Sequence, residues 1–452
     1  MRVGLLPLAR ATFDVAFAEE RFNAMLARLD EQDVEIVGSR ELLFDGDAAR
    51  TAVDAMTAVD RLLVLQVTFT DAGAVLDALR LDVPVAIWAV PEPRLGGRLR
   101  LNAFCGLNLA AHALGRRGHT LGWLYADPDG PVAADLRALL QGERDTRRLD
   151  GTPANDAPDD ALAGRMRGRR IARLGAHPDG FETCRYDAET LQDLAGVHVE
   201  EHELDTLFAA AATADPAPGR AAAEADVTGL DAVDPAQLER SLAMRGALDT
   251  LKAEGGYDAF AIRCWPETFT EYGGAVCGAV AQMGERRTPC ACEADVYGAV
   301  TQLLLQDASD APVFLVDVVD MDANDGTGVV WHCGQAPVSM ASSDHPRTAT
   351  IHTNRKQPLL YEFPLRPGPV TLVRVSQAWN DPRLVIAGAE MLARDKAFTG
   401  TSGTLRFENG VASVLDGMMD AALEHHVALA YGDHRPRLRG AAAAMGLPVV
   451  EL

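Results

Sequence analysis

Short apolar runs alternate with amphipathic stretches along most of this chain, and that alternation restricts the fold more than any single motif. Over the first 130 residues, the runs Val3 to Pro7, Val34 to Val37, Leu62 to Val67, Val85 to Val90 and Thr120 to Tyr125 have the length and composition of strands. Helical periodicity fills the gaps, as at Phe13 to Leu29 and Ala48 to Ala58. Strands that alternate with helices predict an open, mostly parallel α/β domain. Between Gln141 and Arg170 the composition turns polar, with Asp150-Gly151-Thr152-Pro153 and Pro158-Asp159-Asp160, which predicts a linker.

The same grammar resumes with strands at Ile171 to Leu174, Val197 to Glu200 and Ala259 to Cys264, a helix after Asp187 and a long helix from Pro235 to Ala253. The Ala-, Pro- and Gly-rich stretch Ala214 to Val227 reads as an exposed loop within it. After Ala311 strand-like runs dominate: Val313 to Val319, Gly328 to His332, Leu359 to Phe363, Val370 to Val375, Gly403 to Phe407 and Val427 to Tyr431. The expected architecture is therefore α/β, with two Rossmann-like (flavodoxin-like) domains at residues 1–150 and 165–308. A mainly β, barrel-like C-terminal domain at 309–452 follows them. At 452 residues such a division into domains is expected on size alone.

Several function classes are excluded or disfavoured. A net charge of −23 lacks the basic footprint that a nucleic-acid partner requires. The longest apolar runs are too short to cross a bilayer, and no charged-then-apolar leader opens the sequence, so a cytoplasmic protein without a membrane partner is expected. Seven scattered cysteines, of which Cys290 and Cys292 form only a CxC, predict reduced thiols packed in or near the core. Arg94, Arg98 and Arg100 cluster after a strand, either as a solvated loop face or as contacts to an anion or sugar hydroxyl.

The densest set of possible ligands runs from Cys292 to His332. Glu293 is expected at the start of a helix whose face continues through Val296, Val300, Leu303 and Leu304, where it would complement the helix dipole or act in a site. Asp317 alternates with Val313, Leu315 and Val319 and so points into an apolar layer. A lone carboxylate there needs an arginine, backbone amides or a metal ion. His332 ends the next strand, and His425-His426 opens a later one, with alternation placing one of that pair on each face. Each histidine is open to a structural or a ligating role. Two carboxylates with one or two imidazoles form an oxygen-rich site suited to Mn²⁺ or a similar ion rather than to structural zinc.

The stretch Ala291-Cys292-Glu293-Ala294-Asp295-Val296-Tyr297-Gly298-Ala299 resembles the acidic motif of the L-fucose/L-arabinose isomerase family. Asp317 matches that family's second acidic position, and His426, followed by Val427 to Tyr431, Gly432 and the helical Leu438 to Gly446, matches its C-terminal histidine. The resemblance implies a metal-dependent aldose-ketose isomerase in which Glu293 and Asp317 are catalytic and bind metal together with His426. His332 falls where the arabinose isomerases have a further histidine ligand. Mn²⁺, or another divalent cation such as Co²⁺ or Mg²⁺, is the implied cofactor. A homo-oligomer (trimer or hexamer) with the site shared between subunits is implied, with Arg98, Arg100 and Asn102 toward the far end of a small-molecule sugar substrate. The family also includes sulfoquinovose isomerase-like members, for whose 6-sulfo sugar an arginine at the terminal group makes physical sense. Gln66 to Thr70 and Pro91 to Arg94 do not closely match the best-known members, so the resemblance speaks to the reaction more than to the substrate. A non-catalytic sugar-binding or regulatory module, and a metal-dependent hydrolase or aldolase, are the alternatives.

Overall fold

A computed structural model describes all 452 residues. The chain builds three sheets. The first is parallel, with order β2-β1-β3-β4-β5, from β1 (Arg2–Leu8), β2 (Glu35–Gly38), β3 (Arg61–Gln66), β4 (Val85–Ala89) and β5 (Gly122–Tyr125). Every residue of β3 and β4 is buried, which is why these segments read as unbroken apolar runs. The second sheet is parallel as well. It has order β10-β9-β7-β8, formed by β7 (Arg170–Leu174), β8 (His198–His202), β9 (Ala259–Ile262) and β10 (Cys290–Ala291); β6 (Thr152–Pro153) precedes it in the chain but pairs elsewhere.

The third sheet is large and mixed. It comprises β11 (Phe314–Asp322), β12 (Thr327–His332), β13 (Thr348–Thr350), β14 (Leu360–Pro364), β15 (Gly368–Ser376), β16 (Arg383–Met391), β17 (Thr401–Phe407), β18 (His426–Tyr431), β19 (Pro448–Glu451) and β6. Its pairings run from β17 through β12, β11, β18, β15 and β16 and return to β17. The whole is a mixed α/β protein, and none of its helices is long and apolar enough to cross a membrane.

Three expectations need correction. The stretch Ala214 to Val227 is not an open loop, since Ala217–Asp226 is a helix whose Gly219 and Ala223 are buried. Its alanines favour the helix, and the absence of a side chain at Gly219 lets it approach the backbone of the long helix Pro235–Gly255, where a Cβ would lie 2.7 Å from the Leu242 carbonyl. The polar segment Gln141 to Arg170 contains the helix Asp160–Met166 and supplies β6 as an edge strand beside β19. The segment after Ala311 also carries the helix Val411–Asp420 and the nine-residue strand β16, which the apolar-run reading passed over, beside the helix Arg435–Met445 where Leu438 to Gly446 was expected.

The helix Val296–Ser309 lies between the second and third sheets, touching β9 on one side and β15 and β18 on the other. It starts at Asp295, whose side chain accepts the Gly298 amide at 2.8 Å. The same carboxylate takes two nitrogens of Arg374 on β15, at 2.6 and 3.1 Å, and both side chains are buried. Neither ion is tolerable there without the other, because stranding a buried charge forfeits its solvation with no compensation. Arg374→Met should therefore lower unfolding stability by about 3–5 kcal/mol, read from urea denaturation of the full chain.

Candidate functional site

Backbone geometry explains why distant residues meet. The strand β10 ends at Ala291 and the chain turns through Cys292–Ala294, where Glu293 has φ 59° and Ala294 φ 55°. Glu293 thus sits in a left-handed turn before the helix and not in its first turn as expected. Asp295 takes the capping position instead. In the third sheet, Asp317 on β11 is in register with His426 on β18 and with Trp331 on β12, whose next residue is His332. Directly opposed residues share a face of the sheet, so Asp317 and His426 become neighbours despite their separation in the chain.

The structure brings these residues into two adjoining groups that share His426, one of Glu293, His425 and His426 and the other of Asp317, His332 and His426, each with ligand atoms within 4.8 Å of one another. Strand β18 begins at His426, so the residue before it escapes the alternation rule, and both histidines approach Glu293. His425 Nε2 lies 3.0 Å from Glu293 Oε2, and Trp265 Nε1 donates to Glu293 Oε1 at 3.0 Å. Burial opposes the charge on Glu293. The bond from His425, the electrostatic pull of the two imidazoles and the Trp265 bond outweigh it and hold the carboxyl at about 2.

His426 Nδ1 is 3.0 Å from Asp295 Oδ2. Burial alone would raise the Asp295 pKa, but Arg374 and then His426 hold it well below the ordinary range, so it accepts a proton-bearing Nδ1. That leaves the His426 Nε2 lone pair facing inward, 3.4 Å from Asp317 Oδ1 and 3.7 Å from Glu293 Oε2. Asp317 Oδ1 is buried without a hydrogen-bond partner. Burial lifts this carboxyl to about 7, with His426 opposing and Glu293 reinforcing the rise. An unpartnered carboxylate oxygen beside an imidazole lone pair fits a cation. Ligand atoms bound at about 2.1 Å to one ion stand roughly 3–4 Å apart, the separation His426 Nε2 keeps from each carboxylate. His332 differs: its Nδ1 accepts the Cys333 amide at 2.9 Å, so a neutral ring carries its proton on Nε2, which is buried and unpartnered.

Glu293, Asp317, His332 and His425 line a cavity of about 810 Å³, mouth included, and His426 lies behind them. Its N-terminal wall comes from this same chain, through Arg10, Thr12, Phe13, Phe69, Leu99 and Asn102. Of the three residues expected near the sugar's far end, Asn102 reaches the cavity and Arg98 and Arg100 do not. Arg98 bonds Asn354 Oδ1 and the Thr12 carbonyl, both at 2.8 Å, and Arg100 bonds Asp14 at 2.8 Å while covering the Phe17 ring. Arg94 is held by Asp320 at 2.6 Å, and the buried Glu92 carboxylate gathers the amides of Arg100, Leu101 and Asn102. Arg94 thus ties the N-terminal part to β11, Arg98 ties it to the loop at Asn354, and Arg100 bonds within it.

Asp295 stood inside the acidic motif without a role. Its position three residues before Gly298 and just ahead of a helical run was the available capping signal. His425 was visible only as half of a pair. Trp265, Arg10 and Arg355 also reach the cavity, and no local pattern marked them.

Residues 4–142 match the family model for the N-terminal domain of fucose/sulfoquinovose isomerases. The chain is 30% identical to a sulfoquinovose isomerase of Alkalicoccus urumqiensis over 99% of its own length and 98% of the relative's. It is 28% identical to a sulfoquinovose isomerase of Priestia aryabhattai over 95% and 94% of the two chains. The same identity holds for a sulfoquinovose isomerase of Clostridium sp., over 97% and 96%.

The raised Asp317 carboxyl sets a pH dependence of known sign. The folded protein keeps this proton up to about pH 7, whereas an unfolded chain releases it near 3.8, so rising pH weakens the fold across that window. Asp317→Asn removes the penalty. In chelator, its stability relative to the unsubstituted protein should be greater at pH 8 than at pH 5 by roughly 1–4 kcal/mol, measured by urea denaturation at both values. Equal differences at the two pH values would contradict the assignment.

Proposed function

Because this chain belongs to the fucose isomerase-like family, which includes the sulfoquinovose isomerases, and is itself an aldose-ketose isomerase, we propose that it acts on sulfoquinovose, yielding sulfofructose, with a divalent cation. The observation that carries this reading is the inward-facing His426 Nε2 beside the unpartnered Asp317 Oδ1, with Glu293 alongside. Glu293, Asp317 and His426 would hold the ion, for which Mn²⁺ is our first assignment and Co²⁺ or Mg²⁺ the alternatives. Bound there, the cation supplies Lewis acidity toward neighbouring sugar oxygens as negative charge develops on them.

The chain's own groups do the rest. One of the two carboxylates, Glu293 or Asp317, takes the C2 proton of the open-chain aldose and returns it to C1, while a proton passes from the C2 hydroxyl to the C1 oxygen through an enediol. The Trp265 and His425 bonds hold Glu293 ionised and oriented, as a base requires. His332, with its proton on the inward nitrogen, is better suited to donate to a sugar oxygen than to ligate metal. Apolar side chains such as Phe13, Phe69 and Trp331 line the cavity and keep the reacting atoms from bulk water. We read the parallel sheets as two Rossmann-like domains, residues 1–150 and 165–308, and the closed ring of strands as the barrel-like heart of 309–452. A cytoplasmic homo-oligomer, trimer or hexamer, completes the reading on family likeness alone.

An isomerase assignment leaves the binding-module and hydrolase or aldolase alternatives without support. Conversion of sulfoquinovose to sulfofructose, followed by proton NMR on the Mn²⁺-supplied full chain, should stop on chelation and resume when metal is returned. Glu293→Gln should lower kcat by about 10²- to 10⁴-fold. Turnover that survives exhaustive chelation would overturn the metal assignment.

A further inference from the structure

Arg355 is a cation of the cavity that has no ion-pair partner. It lies in the loop after β13, half-buried, where the His352 ring nitrogen Nδ1 accepts the amides of Asn354 and Arg355 at 3.2 Å each. Burial, then the charges of Arg355 and Lys356, push the His352 pKa down to about 3, so this ring is a neutral turn-maker. From outside, Arg98 fixes the loop through Asn354. The Arg355 guanidinium makes no hydrogen bond or ion pair within the chain. Its carbon stands 5.2 Å from the centre of the Trp265 ring, and that of Arg10 stands 5.6 Å from the same ring.

Two cations held against one indole repel each other. Burial, then the charge of Arg10, lowers the Arg355 pKa, with smaller opposing effects from the Cys264 and Cys333 thiols and none from a carboxylate. Arg10 has a partner, Asp71 at 2.6 Å, and that pair is neutral in sum. The two arginines and Asp71 therefore leave one net positive charge facing the cavity. Trp265 links this charge to the reaction centre, since its ring meets the guanidinium groups while its N–H bonds Glu293.

We propose that Arg355 and Arg10, both held against Trp265, form an anion subsite that takes the singly charged sulfonate at C6 of the sugar and so selects the substrate. The inference rests on the isomerase reading above for the sugar, and on the geometry alone for the anion. A planar guanidinium with free donors suits a three-oxygen anion, and one net charge matches a sulfonate better than a dianionic phosphate. Arg98 acts through Arg355, as a positioning residue.

The test compares the full chain with Arg355→Gln and Arg355→Lys. For the Mn²⁺-supplied proteins, R355Q should raise KM for sulfoquinovose by about tenfold to hundredfold, with a smaller change in kcat, and R355K should recover part of the loss. Calorimetric titration of methanesulfonate into the metal-free proteins should give binding to the unsubstituted chain that R355Q lacks. Glucose 6-phosphate should compete more weakly than sulfoquinovose. Equal competition would overturn the preference for sulfonate. An R355Q protein that melts like the unsubstituted chain yet keeps its KM overturns the subsite, as does methanesulfonate binding that is the same in both. Should the unsubstituted chain convert no aldose, the isomerase reading fails, and the methanesulfonate titration decides the subsite by itself. If R355Q does not fold, Arg10→Gln carries the same comparison.

Discussion

One buried carboxylate organises the centre of this molecule. Asp295 caps the helix Val296–Ser309, receives both terminal nitrogens of Arg374 and sits 3.0 Å from His426 Nδ1. Three elements from different parts of the chain thereby converge on two oxygens. The approach is close enough that a Cβ on Gly298 would lie 2.6 Å from Asp295 Oδ2, so the cap depends on glycine there. A carboxylate so deeply buried survives as an ion only because Arg374 and His426 answer it, and a network of this kind is satisfied as a whole or not at all.

The chemistry follows from that restraint. By accepting the Nδ1 proton, Asp295 turns the other nitrogen of His426 inward as an electron-pair donor, the usual way an outer carboxylate prepares a metal-ligating imidazole. Across the strand pair, Asp317 has no donor of its own, and Glu293 is pinned by Trp265 and His425. One carboxyl is kept ionised and its neighbour is pushed toward neutrality. Such splitting of nearby acids marks a place arranged for proton transfer or ion binding more than for stability.

The first sheet contributes a wall and not the centre. The helix Ala103–Arg116 packs on β11, and its leading residue, Asn102, is fixed at the cavity by the Glu92 carboxylate. Arg94 and Tyr125 meet Asp320 three residues beyond Asp317, so the strand bearing the acid is braced from the N-terminal side. Of the arginines the sequence singled out, Arg94 forms this brace, Arg98 holds Asn354 and Arg100 holds Asp14, whereas the unpaired one, Arg355, comes from a segment without any motif.

Periodicity alone placed the main strands and helices, because burial on two faces or one leaves a repeat of known length in the residues. Local chemistry likewise marked Asp317, since a carboxylate in an apolar strand is an anomaly that a single sequence displays, while Glu293 and His426 were marked by the family resemblance. The register of β11 against β18, the left-handed turn at Glu293, the recruitment of His425 and the meeting of Arg10 with Arg355 were decided by tertiary structure. Pairing across strands and contact between loops depend on which surfaces the whole chain buries together, and no window of neighbouring residues holds that information.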